Sequence, residues 1–311
     1  MTMHSFGIHH VTAISGPARR NLDFYTRTLG LRLVKKTVNF DDPGTYHFYY
    51  GDETGRPGTI VTFFPWAHAA PGRLGTGETQ ETVFRVPEGA FGDWAHRLTE
   101  SGVAHEARER FGETILAFQD PDGMRLALAA VPGVEDEPAW AGGGIPAGHA
   151  IRGLHSVMLL VGDVAPTGRI LSGVLGFAEA GREGGTVRFK ADGAGPGGIV
   201  DVRAAGGLPR GRMGAGTVHH VAFRALDDTA QAVLVDRLAD AFGIRTTEQK
   251  DRNYFRSVYF REPGGVLFEI ATDGPGFAVD EPAATLGQAL KLPPALEEMR
   301  GRIETILPAL V

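Results

Sequence analysis

The chain has 311 residues, 42 % of them apolar and 22 % charged, with a formal net charge of −6 and no cysteine. That is length enough for about two domains with substantial cores, and a mild acidity without a basic stripe, which excludes nucleic acid and an anionic membrane surface as partners. The lack of cysteine excludes disulfides, zinc–thiolate and iron–sulfur centres and thiol nucleophiles, so any metal must be held by nitrogen and oxygen.

The first residues, MTMHSFGIHHV, carry no basic region followed by an apolar stretch, and no long uninterrupted apolar run follows, so a cytoplasmic protein with no membrane span is expected. GIHHVTAI at 7–14 is a β-branched strand holding a tandem pair, His9-His10. A helical segment ends in LDFYTRTLGL at Leu31, and GTIVTFF at 58–64 is a further strand. The scheme repeats from TVFRV at 82–86, through a helix near 90–101, to MRLALAAV at 124–131. It repeats again from GLHSVMLL at 153–160 through GRILSGVLGF, closing at Phe177, to PGGIVDV at 196–202. The last copy runs from TVHHVAF at 217–223, with the second pair His219-His220, through a helix near 228–242 to GVLFEIAT at 265–272. Glycines 30 and 176 suit helix termination. FQDPDGMRLAL and FREPGGVLFEI mark matching turns before final strands.

The expected fold is therefore α+β: four βαβββ units forming two domains of concave mixed sheets covered by helices, plus a C-terminal helix. Residues 1–131 hold two units, 132–151 a Pro- and Gly-rich linker, 152–272 two more units, and 273–311 a C-terminal extension. In that extension Leu296, Met299, Ile303, Ile306 and Leu310 recur at helical spacing, a face that packs on the body or, alternatively, makes a homo-oligomer contact.

Alternation along a strand decides which side chains share a face. In GVLFEIAT, Val266, Phe268 and Ile270 form the helix-covered row, which sends Glu269 into the concave face. The same rule groups His219 with Val221 and Phe223, and His9 with Val11, leaving His10 and His220 on the concave side. A carboxylate inside LFEIA needs a compensating partner, because an unpaired buried charge is costly. His10, His220 and Glu269 would supply it as a facial ligand set for a divalent metal with open coordination positions, suited to oxygen chemistry on iron. The matching position of the first unit is Thr62, so only three protein ligands are on offer. In the middle units Ser156 and Ala127 replace a histidine and the carboxylate, and Asp201 falls one residue out of register, so no second metal site is expected.

At these residues the chain resembles the vicinal oxygen chelate superfamily of glyoxalases, bleomycin-resistance proteins and extradiol dioxygenases, over nearly its whole length. FFPW at 63–66, GTGETQETVFRVP at 75–87, IPAGHAIRGLHSV at 145–157 and VDEPAATLGQALKLPP at 279–294 are similar to its ring-cleaving dioxygenases acting on hydroquinones. The resemblance implies that the first and fourth units share the metal. It implies further that Arg252 holds the ionised substrate oxygen, that Tyr259 is an active-site tyrosine, and that Thr12 and His219 stand beside the metal. For His219 this conflicts with the strand alternation. The implied activity is ring cleavage of a small aromatic diol with dioxygen, using non-haem Fe(II) or, in the same ligand set, Mn(II). A glyoxalase-type lyase or isomerase is the alternative, against which Thr62 argues by removing a fourth ligand. A metal-free binding protein would have lost the ligands.

Overall fold

A computed structural model of the chain describes residues 6–193 and 195–310. Met1–Ser5, on which the N-terminal expectation partly rests, Ala194, and Val311 at the end of the expected extension lie outside the described residues.

Four units follow one another. The first comprises β1 (Ile8–Ser15), α1 (Ala18–Asp23, continued by a π-helical turn Phe24–Thr28), β2 (Arg32–Asn39), β3 (Asp42–Gly51) and β4 (Ile60–Pro65). The second comprises β5 (Glu78–Pro87), α2 (Phe91–Glu100), β6 (His105–Arg110), β7 (Glu113–Gln119) and β8 (Arg125–Val131). The third has β9 (Leu154–Val161), α3 (Val164–Gly173), β10 (Phe177–Glu183), β11 (Thr186–Ala191) and β12 (Ile199–Ala204). The fourth has β13 (Thr217–Ala225), α4 (Asp228–Phe242), β14 (Lys250–Asp251), β15 (Arg256–Arg261) and β16 (Leu267–Thr272). This is the expected α+β arrangement of strand, helix and three strands.

The strands form two curled sheets of eight, β14-β15-β16-β13-β1-β4-β3-β2 and β10-β11-β12-β9-β5-β8-β7-β6. Within every unit the first strand lies innermost, so two units join through antiparallel first strands, β1 with β13 and β5 with β9. The first unit thereby shares a sheet with the fourth, and the second with the third. A long separation in sequence becomes direct neighbourhood at a sheet centre.

The helices cover the convex faces. Phe268, Ile270, Val221 and Phe223 enter one apolar core with Leu234 and Leu238 of α4, while Trp94 and Leu98 of α2 do the same for the second sheet. Helix starts are fixed locally: the Asp163 and Asp227 carboxylates accept hydrogen bonds from the Ala165 and Ala230 amides. The matching acid–Pro turns are capped alike. Asp120 accepts the amides of Asp122 and Met124 and the hydroxyl of Tyr25, and Glu262 accepts the amides of Gly264 and Val266 and the hydroxyl of Thr167. Each turn is thus tied to the helix of a neighbouring unit.

The C-terminal segment is a 3-10 stretch, Pro294–Met299, followed by α5 (Arg300–Ile306). It packs on the body through Ile303 and Leu307, whereas Met299, in the 3-10 turns, and Ile306, at the end of α5, stay 41 % and 56 % exposed. Among the described residues no helix is long and apolar enough to cross a membrane.

Gly30 closes the first helix at φ +66°, and a Cβ there would lie 2.5 Å from Ile145 Cδ1 and 2.7 Å from the Gly142 carbonyl oxygen. Gly30→Ala is therefore expected to cost at least about 1–2 kcal/mol of left-handed strain, read as a lower urea midpoint with an unchanged m-value.

Candidate metal centre

Three strands at the middle of the first sheet carry the candidate ligands. Across the antiparallel pair of β1 and β13, His10 stands opposite Ala222 and Thr12 opposite His220, and in the parallel pair of β13 and β16 Ala222 stands beside Glu269. The side chains meet on the concave face, with one donor atom of each within 4.8 Å of the others. His10 Nε2 lies 3.5 Å and His220 Nε2 2.8 Å from Glu269 Oε2, and the two Nε2 atoms are 3.4 Å apart. Exposure is 2 % for His10, 5 % for His220 and 0 % for Glu269.

These residues fit a metal ion by a test internal to the structure. Glu269 Oε2 is buried and, despite the short distance to His220, receives no hydrogen bond of acceptable geometry. Three candidate ligand atoms thus stand together, one of them an acceptor that the protein leaves unpaired. Burial pushes the Glu269 carboxyl up, but His10 and His220 more than offset this and hold it well below the usual carboxylate range. Burial foremost lowers His220. An ionised carboxylate beside a neutral imidazole is the state a divalent cation requires. Glu269 Oε1 is meanwhile oriented by the Ser257 hydroxyl, which donates at 2.5 Å.

The strand alternation fails at one point of each tandem pair. Along β1 the register steps from Ile8 opposite Phe223 to His10 opposite Ala222, and along β13 from His220 opposite Thr12 to Val218 opposite Ala13. The residues passed over, His9 and His219, are β-bulges, and a bulge resets which face the following residues take. Ile8 consequently joins Val11 in the helix-facing core, where strict alternation would set it on the face of His10. Neither His9 nor His219 turns to the helices: His219 lines the same cavity as His10 and His220, and His9 packs against Phe255, 5.1 Å between centroids with the rings tilted at 59°. The expectation from alternation is overturned for both, and His219 stands in one cavity with the three candidate ligands.

The cavity, about 240 Å³, brings all seven sequence-derived residues together: His10, Thr12, His219, His220, Arg252, Tyr259 and Glu269. Arg252 Nε donates to the Tyr259 hydroxyl at 3.2 Å and its Nη2 to Asp41 at 3.1 Å. Burial works against the guanidinium charge, yet Tyr259 and Asp41 more than compensate, so its pKa is raised. Tyr259 faces Glu269 across β15 and β16. Its own pKa is raised, by burial first and then by Glu269. Thr12 and Thr62 share a hydrogen bond of 2.9 Å, and His47 Nε2 lies 2.8 Å from Thr62 Oγ1. His47, Ser257 and Phe255 escaped the sequence reading, and Phe64 and Trp66 entered it only within FFPW, with no site role. No sequence pattern marked His47, because only the sheet order shows that β3 borders the site.

The second sheet repeats the framework with other residues. Asp201 stands opposite Met158 as Thr62 stands opposite Thr12, so it lies in register with the carboxylate position and not one residue out. Arg188 clasps it with two hydrogen bonds of 2.8 and 2.9 Å and also bonds Glu113, which lies 3.3 Å from His155. Glu81, at the second histidine position, is paired with Arg110 at 2.6 Å. Arginines neutralise these acids, and among the described residues His10, His220 and Glu269 make the one group able to hold a metal.

A profile described as the Glyoxalase/Bleomycin resistance protein/Dioxygenase superfamily matches residues 7–128 and 153–270. The chain is 46 % identical over 305 residues to the provisionally named ring-cleaving dioxygenase MhqO of Bacillus subtilis (strain 168), covering 98 % of this chain and 96 % of the relative. It is 34 % identical over 305 residues to the chlorohydroquinone/hydroquinone 1,2-dioxygenase of Sphingobium indicum, covering 96 % and 94 %. The crystal structure of a provisionally named dioxygenase from Bacillus subtilis superposes with a TM-score of 0.95 at 44 % identity, over 99 % of this chain and 98 % of that one. Glyoxalase I from Zea mays, at 16 % identity over 86 % and 92 % with a TM-score of 0.64, shares the fold.

In the second hollow, burial raises the Glu113 carboxyl while His155 and Arg188 more than reverse it, leaving it at about 2. A depressed folded-state pKa contributes stability that is present above the unfolded value, about 4.3, and is lost as pH falls toward 2. Glu113→Gln is expected to lower the unfolding midpoint at pH 7, with a deficit that shrinks progressively below pH 4 in a pH series of denaturation curves.

Proposed function

Because the chain belongs to the glyoxalase/bleomycin resistance protein/dioxygenase superfamily, and relatives spanning its length are named, provisionally, a ring-cleaving dioxygenase and, in the other case, a chlorohydroquinone/hydroquinone 1,2-dioxygenase, we propose that it is an extradiol-type dioxygenase using non-haem iron(II) and dioxygen on a hydroquinone-like diol. The observation that carries this reading is the convergence of His10 Nε2, His220 Nε2 and the unsatisfied Glu269 Oε2 at one wall of a small, largely aromatic cavity. A bound iron(II) would let electron density pass between a singlet aromatic and triplet dioxygen, and manganese(II) suits the same set.

The remaining steps belong to the protein. Phe40, Phe64, Trp66 and Phe255 shape a space of single-ring size, and their apolar surfaces exclude water from the ring. Arg252 is the fixed cation of that lining. It favours the ionised form of a substrate hydroxyl by lowering its pKa, with Asp41, 63 % exposed on the side chain, as the partner to be exchanged. Tyr259 holds the guanidinium in place from below. His219, edge-on to Phe64 with ring centroids 5.8 Å apart, can direct an N–H at an oxygen bound in the pocket. Thr12 lies beside His220 in the register, joined to Thr62.

A glyoxalase-type lyase would call for a fourth ligand where Thr62 stands, and that hydroxyl is fully buried and already engaged by Thr12 and His47. A metal-free binding protein would have no use for a buried ionised Glu269. The deciding experiment is oxygen uptake by iron-loaded protein with hydroquinone, methylhydroquinone, chlorohydroquinones and catechols. Stoichiometric uptake is expected with a hydroquinone, and diol binding without uptake, alongside turnover of a hemithioacetal, would end the dioxygenase reading. His220→Ala should lose metal retention and uptake together, measured by metal analysis and an oxygen electrode. Arg252→Met should keep its metal but raise KM for the diol about 10–100-fold, the equivalent of one charge-assisted hydrogen bond of about 1.5–3 kcal/mol.

A further inference from the structure

Each candidate ligand imidazole has its two nitrogens committed in opposite directions. The Nε2 atoms of His10 and His220 face Glu269, while His10 Nδ1 lies 2.9 Å from His9 Nδ1, and His220 Nδ1 lies 2.8 Å from His219 Nδ1. The rings of each pair stand nearly perpendicular, at 83° and 80°. Two imidazole nitrogens at this distance need one proton between them, with one ring donating and the other accepting. If Nε2 of the second histidine offers its lone pair to a metal, its Nδ1 carries the proton and donates to the first histidine. The first histidine then accepts at Nδ1 and carries its own proton on Nε2.

We infer that His9 and His219 are positioning residues that fix the tautomer and ring orientation of the two metal ligands, so that each tandem pair works as one ligand and its built-in acceptor. The inference rests on the metal-site reading above. Its structural cause is the bulge at the first histidine, which turns two adjacent side chains to one face where a regular strand would send them to opposite faces. The third unit supports this independently of any metal. His155 is passed over in the register of β9 and β5 in the same way, and its Nδ1 lies 3.1 Å from the hydroxyl of the next residue, Ser156, which stands at the ligand position. The contact therefore comes from the backbone framework, and at His9-His10 and His219-His220 the framework has been fitted with imidazoles. Metal-bound histidines ordinarily give their second N–H to a carboxylate, a carbonyl or water. Here the acceptor is the preceding residue, which needs no distant element to be in place.

The test is titration with manganese(II), free ion being followed by its paramagnetic resonance signal, on wild-type protein and on His9→Leu, His219→Leu, His9→Asn and His219→Asn. Leucine removes the acceptor, whereas the asparagine oxygen falls near the Nδ1 position. The leucine variants are expected to bind about 10–100-fold more weakly, and the asparagine variants to recover most of the loss, with urea unfolding run in parallel. Leucine variants that bind as tightly as the wild type would overturn the inference while leaving the metal site intact. Should the leucine variants not fold, asparagine variants that fold but lose the metal would overturn it equally. Wild-type protein that takes up no manganese would remove the metal reading itself, and this inference with it.

Discussion

A carboxylate at 0 % exposure in the middle of a sheet is the constraint around which the first half-barrel is arranged. Water cannot solvate Glu269, so the neighbouring strands must. Ser257 on β15 gives it one hydrogen bond, and two imidazoles on β1 and β13 stand at its other oxygen without satisfying it. Strands β1, β13, β15 and β16 all contribute to this one group. The sheet order follows, since only a fold that pairs the first strand of the first unit with the first strand of the fourth can bring His10 to Glu269.

The second half-barrel answers the same problem differently. Asp201, also at 0 % exposure, occupies the corresponding carboxylate position and is satisfied by a two-pronged arginine, which is the geometry that best meets both carboxylate oxygens at once. The Phe111 ring lies 4.2 Å from the Arg188 guanidinium carbon and covers it. Satisfied in this way, an acid has nothing left to offer a cation. The two sheets share strand order and bulges, and their concave faces differ in whether the central acid is paired by the protein or left with an open oxygen.

The cavity mouth depends on the C-terminal extension. Lys35, fully buried on β2, is paired with Asp280 at 2.6 Å and Glu281 at 2.8 Å, and Asp280 also accepts from Tyr254 and Asn253. Those two residues follow Arg252 in the turn between β14 and β15, where Asn253 adopts φ +67°. The turn that presents the guanidinium is thus held from outside the repeated units. Phe255 completes the link, its ring 5.1 Å from both His9 and His10.

Much of this was legible in the sequence, because it rests on short-range pattern. The apolar row of Val266, Phe268 and Ile270 assigned Glu269 to the opposite face, glycines 30 and 176 marked the ends of two helices, and the similarity of GIHHVTAI to GLHSVMLL exposed the repeat. His10, His220 and Glu269 could be chosen on those grounds, and Arg252 and Tyr259 by resemblance. What the strand period could not supply is the bulge, an extra residue whose presence depends on the partner strand across the pairing, so His9 and His219 were sent to the wrong face. His47 and Ser257 were invisible for a related reason: their importance comes from sheet neighbours far away in the chain. The sequence alone determined which residue types were available and which face of a regular strand each would take. Only the tertiary structure decided how the units pair and where the strands depart from regularity, because both are set by contacts between segments far apart in the chain, such as His10 with Ala222 and Glu81 with Met158.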